Sequence, residues 1–289
     1  MYRFEYLRPI SIKEACQLLE TYGDTAKVIA GGTDLMVQIR DEHKKLKDMK
    51  YVVDITHIKE LSFIKEEGDR ISFGALVTHD EIYKSSIIRE VAPFLSEACN
   101  TVGSPQIRNR GTIAGSICNA SPASDPVPPL IALEAEVKIE SVRGSRIVPL
   151  KSIYLKPDVT NLAADELITE IYFKKLAPDS KMAFVKLGRR KALAISRINV
   201  AVALRKDGEG RIIEARIAPG CVFSVPNRVR AAEMVLIGKV PTEDLIHEAS
   251  EKVSEAMIQR TGIRWSTEFK KPVIEALTRR AINQAMGVE

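Results

Sequence analysis

The chain is poor in the residues that build metal and nucleophile sites. Its four cysteines, Cys16, Cys99, Cys118 and Cys221, stand far apart, with no C-x-x-C pair among them. That spacing excludes a zinc or iron–sulfur site assembled from this sequence alone. Histidine is as sparse: His43, His57, His79 and His247 are scattered, and each is expected at the surface or at a helix cap. No catalytic residue and no metal ligand is therefore assigned. Aromatics make up 6% of the 289 residues, too few to interleave with basic side chains as nucleic-acid stacking surfaces do. No apolar run nears the ~18 residues that cross a bilayer. The opening Met-Tyr-Arg-Phe-Glu-Tyr also lacks the apolar core of a leader. The expectation is a cytoplasmic protein with reduced cysteines, no nucleic-acid partner and no membrane insertion.

Hydrophobic residues reach 45% and charged residues 28%, a balance that excludes disorder and fits a globular chain of two domains. The net charge of +5 is not spread over the molecule. Eight cations (Lys181, Lys186, Arg189, Arg190, Lys191, Arg197, Arg205 and Lys206) fall within residues 181–206, which contain no Asp or Glu. The remainder is slightly acidic, so the excess reads as a local anion or partner site, or as a solvated basic hairpin edge.

Ser11-Ile12-Lys13-Glu14 is a capping box before an amphipathic helix over 12–22. Lys27–Ala30 reads as a strand entering Gly31-Gly32-Thr33-Asp34 and a further helix, and Tyr51–Ile55 as the next strand. A hairpin turns at Glu67-Gly68-Asp69, and Thr78-His79-Asp80-Glu81 caps a helical stretch that reaches Val102 with breaks. From Gly103 to Pro129 the pattern becomes irregular, Gly- and Pro-rich, as in segments that bind something. A hairpin across Arg143-Gly144-Ser145 and a strand over 166–173 precede a linker at Leu176–Asp179. Three strands follow, then helices over 228–237, 242–258 and 266–286, the last restarted by Pro272 in a first-turn position. The order is α+β.

Two segments carry candidate chemistry. Ala30-Gly31-Gly32-Thr33-Asp34-Leu35 lets backbone N–H groups approach a phosphate without a Cβ in the way; Gly-Gly at a strand end also describes a tight turn. Thr112-Ile113-Ala114-Gly115-Ser116 runs on to Asp125, offering small residues, hydroxyls and one carboxylate; the same composition suits a surface loop. Together the pair can grip the two halves of a dinucleotide.

At these residues the sequence resembles the flavin-binding medium subunit of the molybdenum hydroxylases, a group that includes xanthine, carbon monoxide and nicotinate dehydrogenases. The likeness extends through Gly103–Asn109, Leu187-Gly188-Arg189-Arg190 and Arg264-Trp265-Ser266. It implies a PCMH-type FAD-binding domain of the vanillyl-alcohol-oxidase kind over 1–176, with two α/β lobes (about 1–57 and 58–176). It also implies a CO dehydrogenase flavoprotein-like α+β domain over 180–289. By the resemblance, Lys27, Val28, Ile29, Ala30, Gly31, Gly32, Thr33 and Asp34 form the loop that holds the FAD pyrophosphate. Thr112, Ile113, Ala114, Gly115 and Ser116 hold its other side, and Asp125 accepts from FAD hydroxyls. Leu167 meets the adenine or flavin edge, Val102 lines the adenine pocket, and Lys186 stands near the isoalloxazine, where it raises the potential. Ala114-Gly115-Ser116 departs from the family's Gly-Gly-Asn: the methyl demands ordinary φ, and Ser116 is shorter than Asn.

The resemblance further implies that molybdopterin lies on a large partner subunit and [2Fe–2S] clusters on a small one, in a dimer of heterotrimers. This chain then passes electrons through FAD to NAD or another acceptor, with Arg189, Arg190 and Lys191 meeting a dinucleotide phosphate or the small subunit. Likeness points towards the xanthine and nicotinate dehydrogenases. Two alternatives stay open: a stand-alone FAD-dependent oxidase or dehydrogenase, and a flavin-free assembly module.

Overall fold

The computed structural model describes residues 2–190 and 192–288; Lys191, one of the expected cationic contacts, lies outside them. Ser11 accepts the Glu14 N–H at 3.2 Å and Glu14 accepts the Ile10 N–H at 2.8 Å, which starts α1 (Ile12–Tyr22). Its inner face, Ala15, Cys16 and Leu19, is buried. Strands β1 (Glu5–Leu7), β2 (Ala26–Ile29) and β3 (Tyr51–Asp54) pair in parallel in the order β1-β3-β2, and α2 (Leu35–Arg40) follows β2.

The second lobe is antiparallel. Strands β4 (Ile64–Glu67), β5 (Arg70–Gly74), β6 (Glu136–Ser141), β7 (Gly144–Pro149) and β10 (Leu167–Lys174) form a sheet in the order β4-β5-β10-β6-β7. A small ribbon of β8 (Tyr154–Lys156) and β9 (Val159–Thr160) precedes β10. Between β5 and β6 run α3 (His79–Lys84), α4 (Ser86–Val91), α5 (Pro93–Asn100), α6 (Pro105–Arg108), α7 (Ile113–Asn119) and α8 (Val127–Ala132). The segment 103–129, irregular by pattern, thus contains short helices. Ser104 and Thr112 cap the first two of them, and prolines occupy the first turns of α6 and α8, so punctuation rather than apolar periodicity starts these turns.

The third sheet, β11 (Lys181–Gly188), β12 (Ser196–Lys206) and β13 (Ile212–Gly220), is an antiparallel meander. In β12, Ala201 and Ala203 pack into the core of the FAD-type lobes, while Ile198, Val200, Val202 and Leu204 face a second core. The strand is buried on both faces between Ile198 and Leu204, which is why that stretch is apolar apart from Asn199. The second core is closed by α9 (Arg230–Leu236), α10 (Glu243–Thr261) and α11 (Thr267–Met286). Pro272 does not restart a helix, as its position suggested; it sits inside a continuous α11. The carbonyl it leaves without a partner, four residues back at Glu268, belongs to an exposed residue that water can reach.

Candidate functional site

After β2 the chain turns through its two glycines, each required for a different reason. Gly32 has φ +73°, and a Cβ on Gly31 would lie 1.8 Å from the Arg110 carbonyl oxygen. Among the described residues, the N–H groups of Gly31, Gly32, Thr33 and Asp34 donate to no protein acceptor. Four donors in one turn are left for water or a ligand, the arrangement an anion exploits.

The second segment lies against this turn. Thr78 and Thr112 form an antiparallel bridge, flanked by Ile113 N–H to the Val77 carbonyl at 3.1 Å and His79 N–H to the Gly111 carbonyl at 3.0 Å. Thr112 caps α7 by accepting the Gly115 N–H at 3.0 Å, and Ala114 in the first turn has the helical backbone that a methyl tolerates. Asn119 Nδ2 donates to Asp34 Oδ1 at 3.2 Å across 85 positions of sequence. The segments are two sides of one groove.

That groove is three hollows in series. The first, of about 320 Å³, is lined by residues 27–35 together with Lys45, Thr112, Gly115, Ser116 and Asp158. The second, about 330 Å³, shares Thr33, Asp34, Ser116 and Asn119 with it and adds His79, Val102 and Asp125. The third, about 760 Å³, continues past Gly103, Leu193 and Ala194 to Arg108, Lys186, Arg189 and Arg190. Shared walls make the path continuous, from the first lobe to the C-terminal sheet. Its elongated shape suits a dinucleotide better than a compact metabolite.

Asp125 is 5% exposed and accepts four hydrogen bonds. Ser196 Oγ at 2.5 Å and Asn199 Nδ2 at 2.9 Å donate to Oδ1. Lys186 Nζ at 2.6 Å and Thr101 Oγ1 at 3.3 Å donate to Oδ2. Lys186 also donates to the Thr101 carbonyl at 2.9 Å. Both carboxylate oxygens are thus engaged by the protein, and Lys186, Ser196 and Asn199 come from the C-terminal sheet. The carboxylate joins the domains beneath the groove.

His79 is not at the surface; this expectation is corrected. The ring is 2% exposed, because α3 folds back over the Gly111–Thr112 turn and Gly111 packs against the imidazole edge, where a Cβ would meet Cδ2 at 3.2 Å. Burial, helped by the Arg108 charge, lowers its pKa to about 4, so the ring is neutral at pH 7. Nε2 lies 3.1 Å from Ser116 Oγ, and Nδ1 is buried without a partner among the described residues. The usable signal was the apolar Leu76-Val77 just before the capping box, which drives the start of α3 inward. The other histidines are peripheral: His43 caps a short turn, and His57 and His247 are exposed.

The expected residues therefore divide. Residues 27–34, Val102, Thr112, Gly115, Ser116, Asp125 and Lys186 line the groove. Ile113 and Ala114 are buried and are not among the lining residues. Leu167 is set apart from the groove lining: it pairs with Glu140 in the second sheet and is buried in its core.

Residues 2–173 match the family described as the FAD binding domain in molybdopterin dehydrogenase. Residues 183–285 match the CO dehydrogenase flavoprotein C-terminal domain. The nicotinate dehydrogenase FAD-subunit of Eubacterium barkeri is 34% identical over 281 residues, 96% of this chain and 94% of that one. The nicotine 6-hydroxylase medium subunit of Paenarthrobacter nicotinovorans is 33% identical over 280 residues, 97% and 96% of the two chains. A solved structure of carbon monoxide dehydrogenase from Hydrogenophaga pseudoflava superposes with a TM-score of 0.90 at 32% identity, covering 99% of this chain and 98% of that one. A groove floored by a glycine turn and spanning both matched domains has a family: this chain is an FAD-binding medium subunit of the molybdenum hydroxylases, an oxidoreductase component.

Proposed function

We propose that this chain takes electrons from [2Fe–2S] clusters on a small partner subunit and delivers them by way of FAD to NAD or another acceptor. Hydroxylation belongs to a large molybdopterin-binding subunit, and the assembly is a cytoplasmic dimer of heterotrimers. The observation that carries the reading is the glycine turn with four unused N–H donors at the floor of an elongated groove.

The residues fit FAD. Gly31 and Gly32 keep side chains away from the floor, and the N–H groups of residues 31–34 are the donors that would hold the pyrophosphate. Thr33 Oγ1 and Ser116 Oγ add hydroxyls on opposite walls, and Lys27 and Lys45 in the first hollow offset phosphate charge. A neutral His79 adds shape and hydrogen bonding without a formal charge, and Lys186 with Asp125 presents a balanced pair. When bound, FAD supplies the ability to take up and release electrons singly or in pairs. The chain supplies placement and field.

A substrate of the nicotinate or xanthine type is supported by the likeness to the Eubacterium barkeri subunit. The test is FAD titration of the chain, then assay of the purified complex with nicotinate and xanthine. Bound flavin, with hydroxylation only in the complex, is expected. Hydroxylation by the isolated chain would instead indicate a stand-alone oxidase, and no flavin in either form an assembly module.

A further inference from the structure

On the groove wall across from the glycine turn, one ring nitrogen is buried without a bond. His79 is 2% exposed, and its Nδ1 has no partner among the described residues. The residue is held firmly: its N–H donates to the Gly111 carbonyl at 3.0 Å, and a Cβ on Gly111 would meet the ring's Cδ2 at 3.2 Å. The other ring nitrogen, Nε2, lies 3.1 Å from Ser116 Oγ. That hydroxyl stands where two hollows meet, because Ser116 lines both the first and the second. Thr33 and Asp34 of the glycine turn line the same two.

The unbonded Nδ1 decides which way the Ser116 proton points. Burial and the Arg108 charge keep the ring neutral at pH 7, so it carries one N–H and one bare nitrogen, while a serine hydroxyl has one proton that rotates to suit its neighbours. With the ring proton on Nδ1, the fold buries an N–H that finds no acceptor, and bare Nε2 consumes the Ser116 proton. With the ring proton on Nε2, the buried Nδ1 is an unused acceptor. Proteins tolerate an unused acceptor better than an unused donor.

We infer that His79 is a positioning residue: its Nε2–H donates to Ser116 Oγ, which leaves the Ser116 proton free to turn into the groove and donate to an anionic oxygen of the bound dinucleotide. The inference rests on the FAD-binding function proposed above and adds a donor on the wall that the glycine turn does not reach. A ring fixed by packing presets a hydroxyl that is otherwise free to rotate, and the hydroxyl donates more strongly while its own oxygen accepts.

Two measurements on the full chain test this. Ring ¹⁵N shifts of the histidine-labelled chain at neutral pH, with the His79 signals assigned by their loss in His79→Gln, are expected to show Nε2 protonated and Nδ1 bare, with and without FAD. The second is FAD affinity from flavin fluorescence. Ser116→Ala is expected to weaken binding about tenfold, the worth of a hydrogen bond to a charged group. His79→Phe keeps a ring but no Nε2–H; it is expected to weaken binding about threefold or more in the wild-type background and not at all in Ser116→Ala, where no proton remains to aim. His79→Gln, which returns an N–H near the Nε2 position, recovers most of that loss. Lys239→Glu, beside Ile212 at the far end of the β12–β13 hairpin, leaves affinity unchanged. A proton on Nδ1 overturns the inference but not the function, since Ser116 is then spent on the ring. Equal losses from His79→Phe in both backgrounds overturn it too, leaving His79 a packing residue. Should His79→Phe fail to fold, the ring shifts and Ser116→Ala decide, and wild-type affinity in Ser116→Ala overturns the inference. A wild-type chain that binds no FAD, alone or in its complex, overturns the function and this inference with it.

Discussion

Lys186→Met removes one half of the interdomain pair and leaves the Asp125 carboxylate 6% exposed, without its cation. Breaking a buried ion pair by deleting one partner costs about 3–5 kcal/mol. Ser196 and Asn199 still donate to Oδ1 at 2.5 and 2.9 Å, which places this case near the low end, about 3 kcal/mol. At roughly 2–4 °C per kcal/mol, the melting temperature falls by at least about 6 °C. Lys186→Met with Asp125→Asn removes both charges and recovers most of that loss, so the double-mutant cycle shows a coupling of at least about 1 kcal/mol. The flavin midpoint potential adds a second readout: downward in Lys186→Met, where an unpaired anion borders the groove, and near wild type in the double variant. Thermal melts, urea titrations and a redox titration of the three variants decide it. A single variant as stable as wild type, or strictly additive losses, refutes the buried pair as an interdomain clamp.

Gly31→Ala forces a methyl to within 1.8 Å of the Arg110 carbonyl. Overpacking of this kind costs about 1–3 kcal/mol, and FAD affinity measured by flavin fluorescence is expected to fall at least tenfold as the turn moves. His79 is neutral in the fold, its pKa lowered by burial from the ordinary 6.5 to about 4. The unfolded chain therefore binds the extra proton first: stability is full above pH 6.5 and is lost as pH falls towards 4, by about 3 kcal/mol in total. His79→Gln is expected to flatten that part of a urea-midpoint profile. Arg228 is 6% exposed, donates to Glu233 at 2.8 and 3.0 Å and to Glu134 at 2.8 Å. Arg228→Met leaves the buried Glu233 with only the Ile217 N–H at 2.9 Å and Arg230 at 3.3 Å, and is expected to cost about 3 kcal/mol in urea unfolding.

Much of this structure was legible because local rules and tertiary needs agree. Ser11 and Thr78 were read as caps and do cap. The run Ile198–Leu204 of β12, apolar apart from Asn199, reads as a strand, and two-sided burial explains its pattern. The short helices α6 to α8 were not legible, since none is long enough to show a period. Nor was the inward turn of His79, a tertiary consequence of α3 folding over Gly111, or the engagement of Asp125, whose four donors come from Thr101, Lys186, Ser196 and Asn199. The resemblance put a carboxylate and a lysine beside the FAD; the fold shows that they are bonded to each other.

The account stands most directly on whether the glycine turn binds FAD. Equilibrium dialysis of the full chain against FAD, alongside Gly31→Ala and Lys239→Glu, measures it. Stoichiometric FAD is expected on the wild-type chain and on Lys239→Glu, with loss on Gly31→Ala. Binding unaffected by Gly31→Ala, or no flavin on the wild-type chain in isolation or in its complex, would contradict it.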